Sequence, residues 1–521
     1  MAAKSLPWVR ETHDYGMKTF FTMFSYATIQ LVAFILPDID KKRMGRNKVS
    51  KKEFLQEEQQ QEQVAVQQNN GSSFWDKMDR FFKVTERGSN WRRELIGGLV
   101  TFLAMVYILA VNPSILGAAG MPAGGTFLAT ALIAGAATIA MGVFAKLPFG
   151  LAPGMGTNAF FAFVVVGPQG MGYTWQEALA AGVIAGILFL ILSITPARKI
   201  IMEAIPANLR LAIGAGIGFF IAFIGLQGAG IVEGNPATLV TLTNFKSPLV
   251  LLGLFGITLA LILHAMKFRF SIIVSIVATA TLGVILGLIW PDAGFPAFGK
   301  FDYSGLGEIK TTASGFVEGF KTVWRWDLIL VVISLVFLDL FDTMGTFLAT
   351  AGPAGLIKED GTIENMERGL LVDSGATVVG NMLGTPVVTT YIESSTGISA
   401  GARTGFASVV TGLLFFLAIA LFPIFQVFSF SQVTASALVL VGVLMAMQLK
   451  NIEWSEIDVA ITAFMTIVIM VLTYSITNGI AFGIIFYVIT KLASKKWKEI
   501  HPVMYALAVA FVAYYVLMAV F

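Results

Sequence analysis

The chain has 521 residues, of which 56% are hydrophobic and 13% charged, with a formal net charge of +3. A soluble globular chain is nearer a quarter charged, so with a mean hydropathy of +0.78 a wholly water-soluble protein is excluded in favour of a polytopic helical membrane protein. The small net charge without a long basic patch argues against nucleic acid as a partner; the absence of cysteine excludes disulfides, thiol catalysis and thiolate metal sites; and His13, His264 and His501 are too scattered for a histidine metal centre.

The first 77 residues stand apart. An apolar run at 20–36 is long enough for a short span or an interfacial helix. It is followed by a basic run (Lys41, Lys42, Arg43, Arg46, Lys48, Lys51 and Lys52) and a Gln-rich stretch near 56–70. The composition predicts a disordered cytoplasmic extension with an extra anchor, and Met78 is a second plausible start. A spanning helix needs about 20 apolar residues. From Glu94 onward, segments 1–7 are predicted at about 95–112, 126–145, 149–166, 178–195, 207–226, 248–266 and 271–290. Segments 8–14 follow at about 328–350, 369–383, 387–403, 405–423, 432–448, 458–475 and 477–492, with a further apolar tail at 503–521 that leaves an extra span open. Lys and Arg fall in alternate short loops, from Arg92 and Arg93 through Lys146, Arg198, Lys267, Arg403 and Lys450 to Lys496, which places that side in the cytoplasm. Seven is odd, so the second group of seven enters the membrane from the opposite side. That is the arithmetic of an inverted repeat. The expected organisation is 1–77 extension, 78–290 first repeat, 291–327 extracytoplasmic loop, 328–495 second repeat and 496–521 tail.

Two segments break helix rules at matching places. Segment 3 holds Pro148, Gly150, Pro153, Gly154 and Gly156 before Thr157 and Asn158, and segment 10 runs Thr385-Pro386-Val387-Val388-Thr389-Thr390-Tyr391 before Glu393 and Ser394. Proline and glycine oppose helix and β-branched residues favour extended chain. Each segment therefore reads as a short strand followed by a half-helix, with free backbone N–H groups at the half-helix start. A matched pair of interrupted segments points to a transport site near the mid-plane. Carboxylates inside a bilayer cost at least about 2.5–3.5 kcal/mol and so need a task or a partner. Segment 8 carries Asp339 and Asp342, three apart on one face with Thr343 and Thr346 nearby, and segment 10 carries Glu393. Arg403 reads as a topology anchor, and Asp373 and Asp458 as solvated residues at span ends.

The runs Leu151-Ala152-Pro153-Gly154-Met155-Gly156-Thr157-Asn158-Ala159-Phe160, Phe341-Asp342-Thr343-Met344-Gly345-Thr346, Glu393-Ser394-Ser395-Thr396-Gly397 and Gly401-Ala402-Arg403-Thr404-Gly405 resemble the AzgA-like purine permeases of the nucleobase–cation symporter and nucleobase–ascorbate transporter superfamily. The resemblance covers about Met78 to the C-terminus. It implies an all-α polytopic membrane protein of two inverted seven-segment repeats. Segments 1–4 and 8–11 would form a core domain, and segments 5–7 and 12–14 a gate domain. It also implies a purine site with Asp342 and Glu393 as base-binding acids, Asn158 as the polar residue of segment 3, and Phe160 or Phe161 as the aromatic against the base. Thr343 and Ser394 adjoin them as binding candidates, and Asp339 joins Asp342 and Glu393 as a proton-coupling candidate.

The chemistry agrees. A purine is a flat heteroaromatic with donor and acceptor edges, which carboxylates, backbone N–H groups and a Phe face can meet. Burial disfavours the charged form of a carboxylate, so a buried acid can exchange protons near neutral pH. Protons are the expected coupling ion and sodium the lesser expectation, because no dedicated sodium cage is legible. The expected partners are a purine nucleobase (adenine, guanine or hypoxanthine), protons and the lipid bilayer of the plasma (inner) membrane, with a homodimer left open. No cofactor, metal or catalytic residue is expected. The rivals are an anion transporter of sulfate-permease type, which would want a basic residue in the site, and an intramembrane aspartyl protease using Asp339 or Asp342, which would need a second acid on another segment within a Gly-x-Gly-Asp motif.

Overall fold

The computed structural model describes residues 74–166, 170–195, 204–297, 302–325, 327–357 and 363–520. The extension at 1–77 lies, up to residue 73, outside them. A helix Phe74–Phe82 then runs through residue 77 and sets Phe82 edge-on against Phe406 at 5.6 Å.

Among the described residues, ten helices are long and apolar enough to cross a membrane. They are segments 1 (Trp91–Gly117), 2 (Ala123–Ala145), 4 (Trp175–Ile194), 5 (Ala207–Gly228), 6 (Pro248–Ala265), 7 (Ser271–Ile289), 8 (Leu328–Ala354), 11 (Gly405–Phe428), 12 (Ser431–Asn451) and 14 (Ile476–Ala493). The other four predicted segments are shorter, more polar or broken: segment 9 is Met366–Leu383, segment 13 is Ile457–Leu472, and segments 3 and 10 are interrupted. The protein is thus a polytopic helical membrane protein, multi-pass in the cell membrane.

The packing carries the inverted repeat. Segment 4 lies along segment 9, and segment 2 along segment 11; exchanging each segment n with n+7 turns one pair into the other. The same exchange relates the contact of segments 1 and 11 to that of 8 and 4, and the contact of 5 and 13 to that of 12 and 6. Segments 5 and 12 pack on each other across the axis. Two bodies follow: segments 1–4 with 8–11, and segments 5–7 with 12–14. Tight crossings need residues without side chains. At Gly397 a Cβ would run into Thr101 Oγ1 and the Gly97 carbonyl, so the half-helix of segment 10 rests directly on the segment 1 backbone.

Strand β1 (Leu151–Pro153) of segment 3 and strand β4 (Val388–Thr390) of segment 10 pair antiparallel, with Leu151 opposite Thr390, Ala152 opposite Thr389 and Pro153 opposite Val388. Between them in sequence, β2 (Val232–Asn235) and β3 (Leu239–Leu242) form a hairpin joining segments 5 and 6. The long loop before segment 8 is more than a loop. It contains a helix, Ile309–Gly319, laid on segments 2, 4 and 9, and Glu308 just before it accepts N–H bonds from Gly124 (2.9 Å) and Gly125 (3.4 Å) at the start of segment 2. Beside it, the Tyr173 hydroxyl donates to Asp327 at 2.8 Å under the Arg325 guanidinium; burial and this acidic partner push the Tyr173 hydroxyl above its usual range. The apolar tail is a helix, Pro502–Val520, that runs back along segment 14, with Tyr515 donating to Asn478 and packing on Phe482.

Candidate functional site

The strand pair is the platform of the site. Gly154 N–H donates to the Val387 carbonyl and Tyr391 N–H to the Gly150 carbonyl. The Tyr391 hydroxyl donates to the Pro153 carbonyl, and Ser394 Oγ accepts the Gly150 N–H at 2.9 Å. From this crossing two half-helices depart, Met155–Ala159, which continues as a π-helical turn through Val165, and Ser394–Ser399. Thr157 and Asn158 sit on the first, and Glu393 immediately precedes the second, as the sequence pattern expects.

The expected free N–H groups at the second half-helix are not free. Ser394, Ser395 and Thr396 donate to the carbonyls of Tyr391, Ile392 and Glu393, because the chain enters the helix through tight turns that use these donors up. The Glu393 side chain makes no cap of its own helix. It turns instead to segment 1, where the Tyr107 hydroxyl donates to Oε1 at 2.6 Å. At the other end of the half-helix, Arg403 does more than mark topology. Its guanidinium donates to the carbonyls of Ile398 (2.6 Å) and Ala402 (2.7 Å), satisfying orphan acceptors at a helix C-terminus.

Asp342 comes from segment 8 and reaches the same crossing. A Cβ on Gly154 would lie 2.8 Å from Thr157 Oγ1 and 2.9 Å from Thr389 Cγ2, too close for either, and 3.5 Å from Asp342 Oδ2, so glycine lets the two strands close up where Asp342 arrives. Glu393 enters from the other strand of the crossing, three residues past Thr390 at the end of β4. Among the described residues no side chain hydrogen-bonds the Asp342 carboxylate.

Behind the platform lies a second layer. Asp339, one turn before Asp342, accepts from Thr377 at 3.0 Å and faces Thr343 at 3.4 Å. Thr343 Oγ1 lies 2.8 Å from Asp373 Oδ2 and 2.9 Å from Thr389 Oγ1 of β4. Thr343 is therefore bonded to the support of the site. Asp373 corrects its sequence reading. It is fully buried, because segment 9 starts at Met366 and carries it two turns into the helix, where Thr343 and Thr390 meet it. Asp458 is likewise buried, 2% exposed, and pairs with Lys491 at 2.8 Å instead of being solvated. Phe160 and Phe161 are both buried in the main apolar cluster.

The sequence reading missed Tyr107, Asn112 and Tyr391. Asn112 stands with Pro113 inside an apolar run, which was its one visible signal. Its amide bonds to Asn158, Thr130 and Thr385. Among the described residues no basic side chain bonds to or pairs with Asp339, Asp342, Asp373 or Glu393. The platform thus offers carboxylates, hydroxyls and the amides of Asn112 and Asn158 as partners for N–H groups, and among the described residues no cation bonded to its acids for an anion.

The chain matches the Permease family (Xan_ur_permease) over residues 92–482. It is 44% identical to the guanine/hypoxanthine permease PbuG of Bacillus subtilis, over 84% of this chain and 99% of the relative. It is 40% identical to the adenine permease AdeP of Escherichia coli, over 84% of this chain and 95% of the relative. In fold it is similar to the transmembrane domain of the cyanobacterial bicarbonate transporter BicA, with a TM-score of 0.54 at 15% identity, covering 75% of this chain and 97% of that one. The family match, the relatives and the matched half-helix pair agree: this chain belongs to the Permease family, within the nucleobase–ascorbate transporter group of membrane permeases.

Proposed function

We propose that this protein takes up a purine nucleobase (adenine, guanine or hypoxanthine) across the cell membrane by proton symport, with the segment 1–4 and 8–11 body moving against the other body to alternate access. The observation that carries the reading is that Asp342 of segment 8 and Glu393 of segment 10 both stand at the crossing of β1 and β4, Asp342 beside Gly154 and Glu393 just past Tyr391, whose N–H donates to the Gly150 carbonyl. Two acceptor groups at one crossing suit the N–H edge of a base. Asp342, which no side chain among the described residues bonds, suits a group that takes up and releases a proton with each cycle. The names of the relatives, guanine/hypoxanthine and adenine permeases, favour a purine. The alternation of Lys and Arg along the loops favours an orientation with Arg92 and Arg93 in the cytoplasm.

The test is uptake in cells lacking their own purine permeases. Labelled hypoxanthine should accumulate, unlabelled adenine and guanine should be assayed as competitors, and labelled sulfate should not enter. A protonophore should abolish accumulation, whereas replacing sodium should not. Sodium-dependent uptake insensitive to the protonophore contradicts the coupling; sulfate uptake without purine uptake contradicts the substrate.

A further inference from the structure

The amide of Asn158 is fully buried, and its Oδ1 accepts no hydrogen bond among the described residues. Leaving such an acceptor unpaired is costly, so its orientation needs a cause. Asn158 and Gly154 are four residues apart, and the Asn158 N–H closes a helical turn on the Gly154 carbonyl. Asn158 therefore lies one turn beyond Gly154, the residue at which Asp342 approaches the crossing.

The cause is a chain of hydrogen bonds whose direction is fixed at its far end. Thr130 Oγ1 lies 2.6 Å from the Thr126 carbonyl. A carbonyl can only accept, so the Thr130 hydroxyl proton is committed there and its oxygen can only accept from elsewhere. The Asn112 atom 2.7 Å from Thr130 Oγ1 must then be the donor Nδ2, which at 2.9 Å also serves Thr385 Oγ1. That turns Asn112 Oδ1 toward Asn158. Across the 2.6 Å contact Asn158 must present its own Nδ2, and Oδ1 is left on the other side. One proton commitment at Thr130 thus sets two amides in series.

We propose that Asn112 is a positioning residue that holds Asn158 as an acceptor, so that the site demands an N–H donor from its ligand at that point. The proposal rests on the purine reading and sharpens it. A base presenting a ring or exocyclic N–H to Asn158 is accepted, and one presenting a C–H or bare nitrogen there is rejected. Asn112 acts through Asn158. Thr130 acts one bond further back.

The experiment measures inhibition of labelled hypoxanthine uptake by size-matched purine analogues in which each ring or exocyclic N–H in turn gives way to C–H. In the unaltered protein one analogue should bind at least about 10-fold more weakly than its parent, as expected when a buried acceptor loses its donor. In Asn112→Ala, and in the near-isosteric Thr130→Val, that ratio should fall at least about 3-fold, because the Asn158 amide can then turn over. A merely structural loss would lower transport of all analogues together and leave the ratio unmoved. If purines compete but no analogue is penalised, or if the penalty survives in both variants, the inference is wrong while the purine reading stands. If no purine competes at all, the purine reading falls, and the inference with it.

Discussion

The Tyr107 hydroxyl donates to the Glu393 carboxylate at 2.6 Å, across 286 positions of sequence. Segment 1 changes its hydrogen-bond ladder here. Its helix Trp91–Met105 gives way at Val106 and Tyr107 to a second helix, Ile108–Gly117, that contains Pro113. Tyr107 at this junction serves the half-helix of segment 10, and Asn112 beyond it serves the half-helix of segment 3. One segment therefore meets the side chains of both halves of the site.

Tyr107→Phe keeps the ring and removes the donor. A hydrogen bond to a charged group contributes about 1.5–3 kcal/mol, and here it also orients Glu393. Base binding measured by calorimetry should weaken by roughly 10-fold or more while folding is retained. Unchanged affinity would show that Glu393 needs no positioning from segment 1.

Legibility in the sequence followed locality. Spans were visible because a bilayer demands long apolar runs, and the half-helices were visible because Pro153, Gly154 and Pro386 break local rules in matching places. Glu393 and Asn158 were visible because they sit in or beside those breaks, and Asp342 because a carboxylate inside an apolar span needs a task or a partner. Tyr107 was not, because a tyrosine in an apolar span leaves no mark and its partner lies on another segment. Asp373 was misread because exposure was judged from distance to a predicted helix end. That end lay three residues earlier, and burial came from Thr343 and Thr390 on other segments. The helix Ile309–Gly319 was hidden by its weakly apolar composition within a mixed-charge loop.

Lys491 holds a buried acid on the other body. Asp458 is 2% and Lys491 11% exposed, and Lys491 also bonds to Glu499 at 2.7 Å between segment 14 and the C-terminal helix. Removing one partner of a buried pair costs about 3–5 kcal/mol when the other charge is left uncompensated, and here Lys496, 3.5 Å from Asp458, offsets part of that cost. Lys491→Met should therefore lower the thermal unfolding midpoint in detergent by several degrees, and adding Asp458→Asn should recover most of the loss. No recovery in the double variant would mean that the pair contributes through Glu499 alone.

Residues 1–73 should be dispensable for uptake. Their composition departs from the rest of the chain, and the family match begins after them, at residue 92. A protein beginning at Phe74 behind an initiator methionine should keep near-full uptake per folded molecule. Loss of uptake with normal membrane insertion would assign the extension a role in transport.

Asp342 and Glu393 should divide the work between them. Glu393 already has a committed donor in Tyr107, and the first amides of its half-helix are bonded to the preceding turn. On the purine reading that suits it as a fixed acceptor for the base. Asp342 sits on the continuous helix of segment 8, where Thr346 bonds its carbonyl but no side chain among the described residues bonds its carboxylate. On the proton-symport reading, Asp342 is therefore the acid left to take up and release the proton. Asp342→Asn should therefore abolish proton-driven accumulation, measured across an imposed pH gradient, while equilibrium exchange and base binding persist. Glu393→Gln should do the reverse in emphasis, weakening binding by about 1.5–3 kcal/mol as a charge-assisted bond becomes a neutral one, with whatever uptake remains still driven by the gradient. Full gradient-driven accumulation in Asp342→Asn would move the proton to Glu393 or to the Asp339 and Asp373 layer behind it.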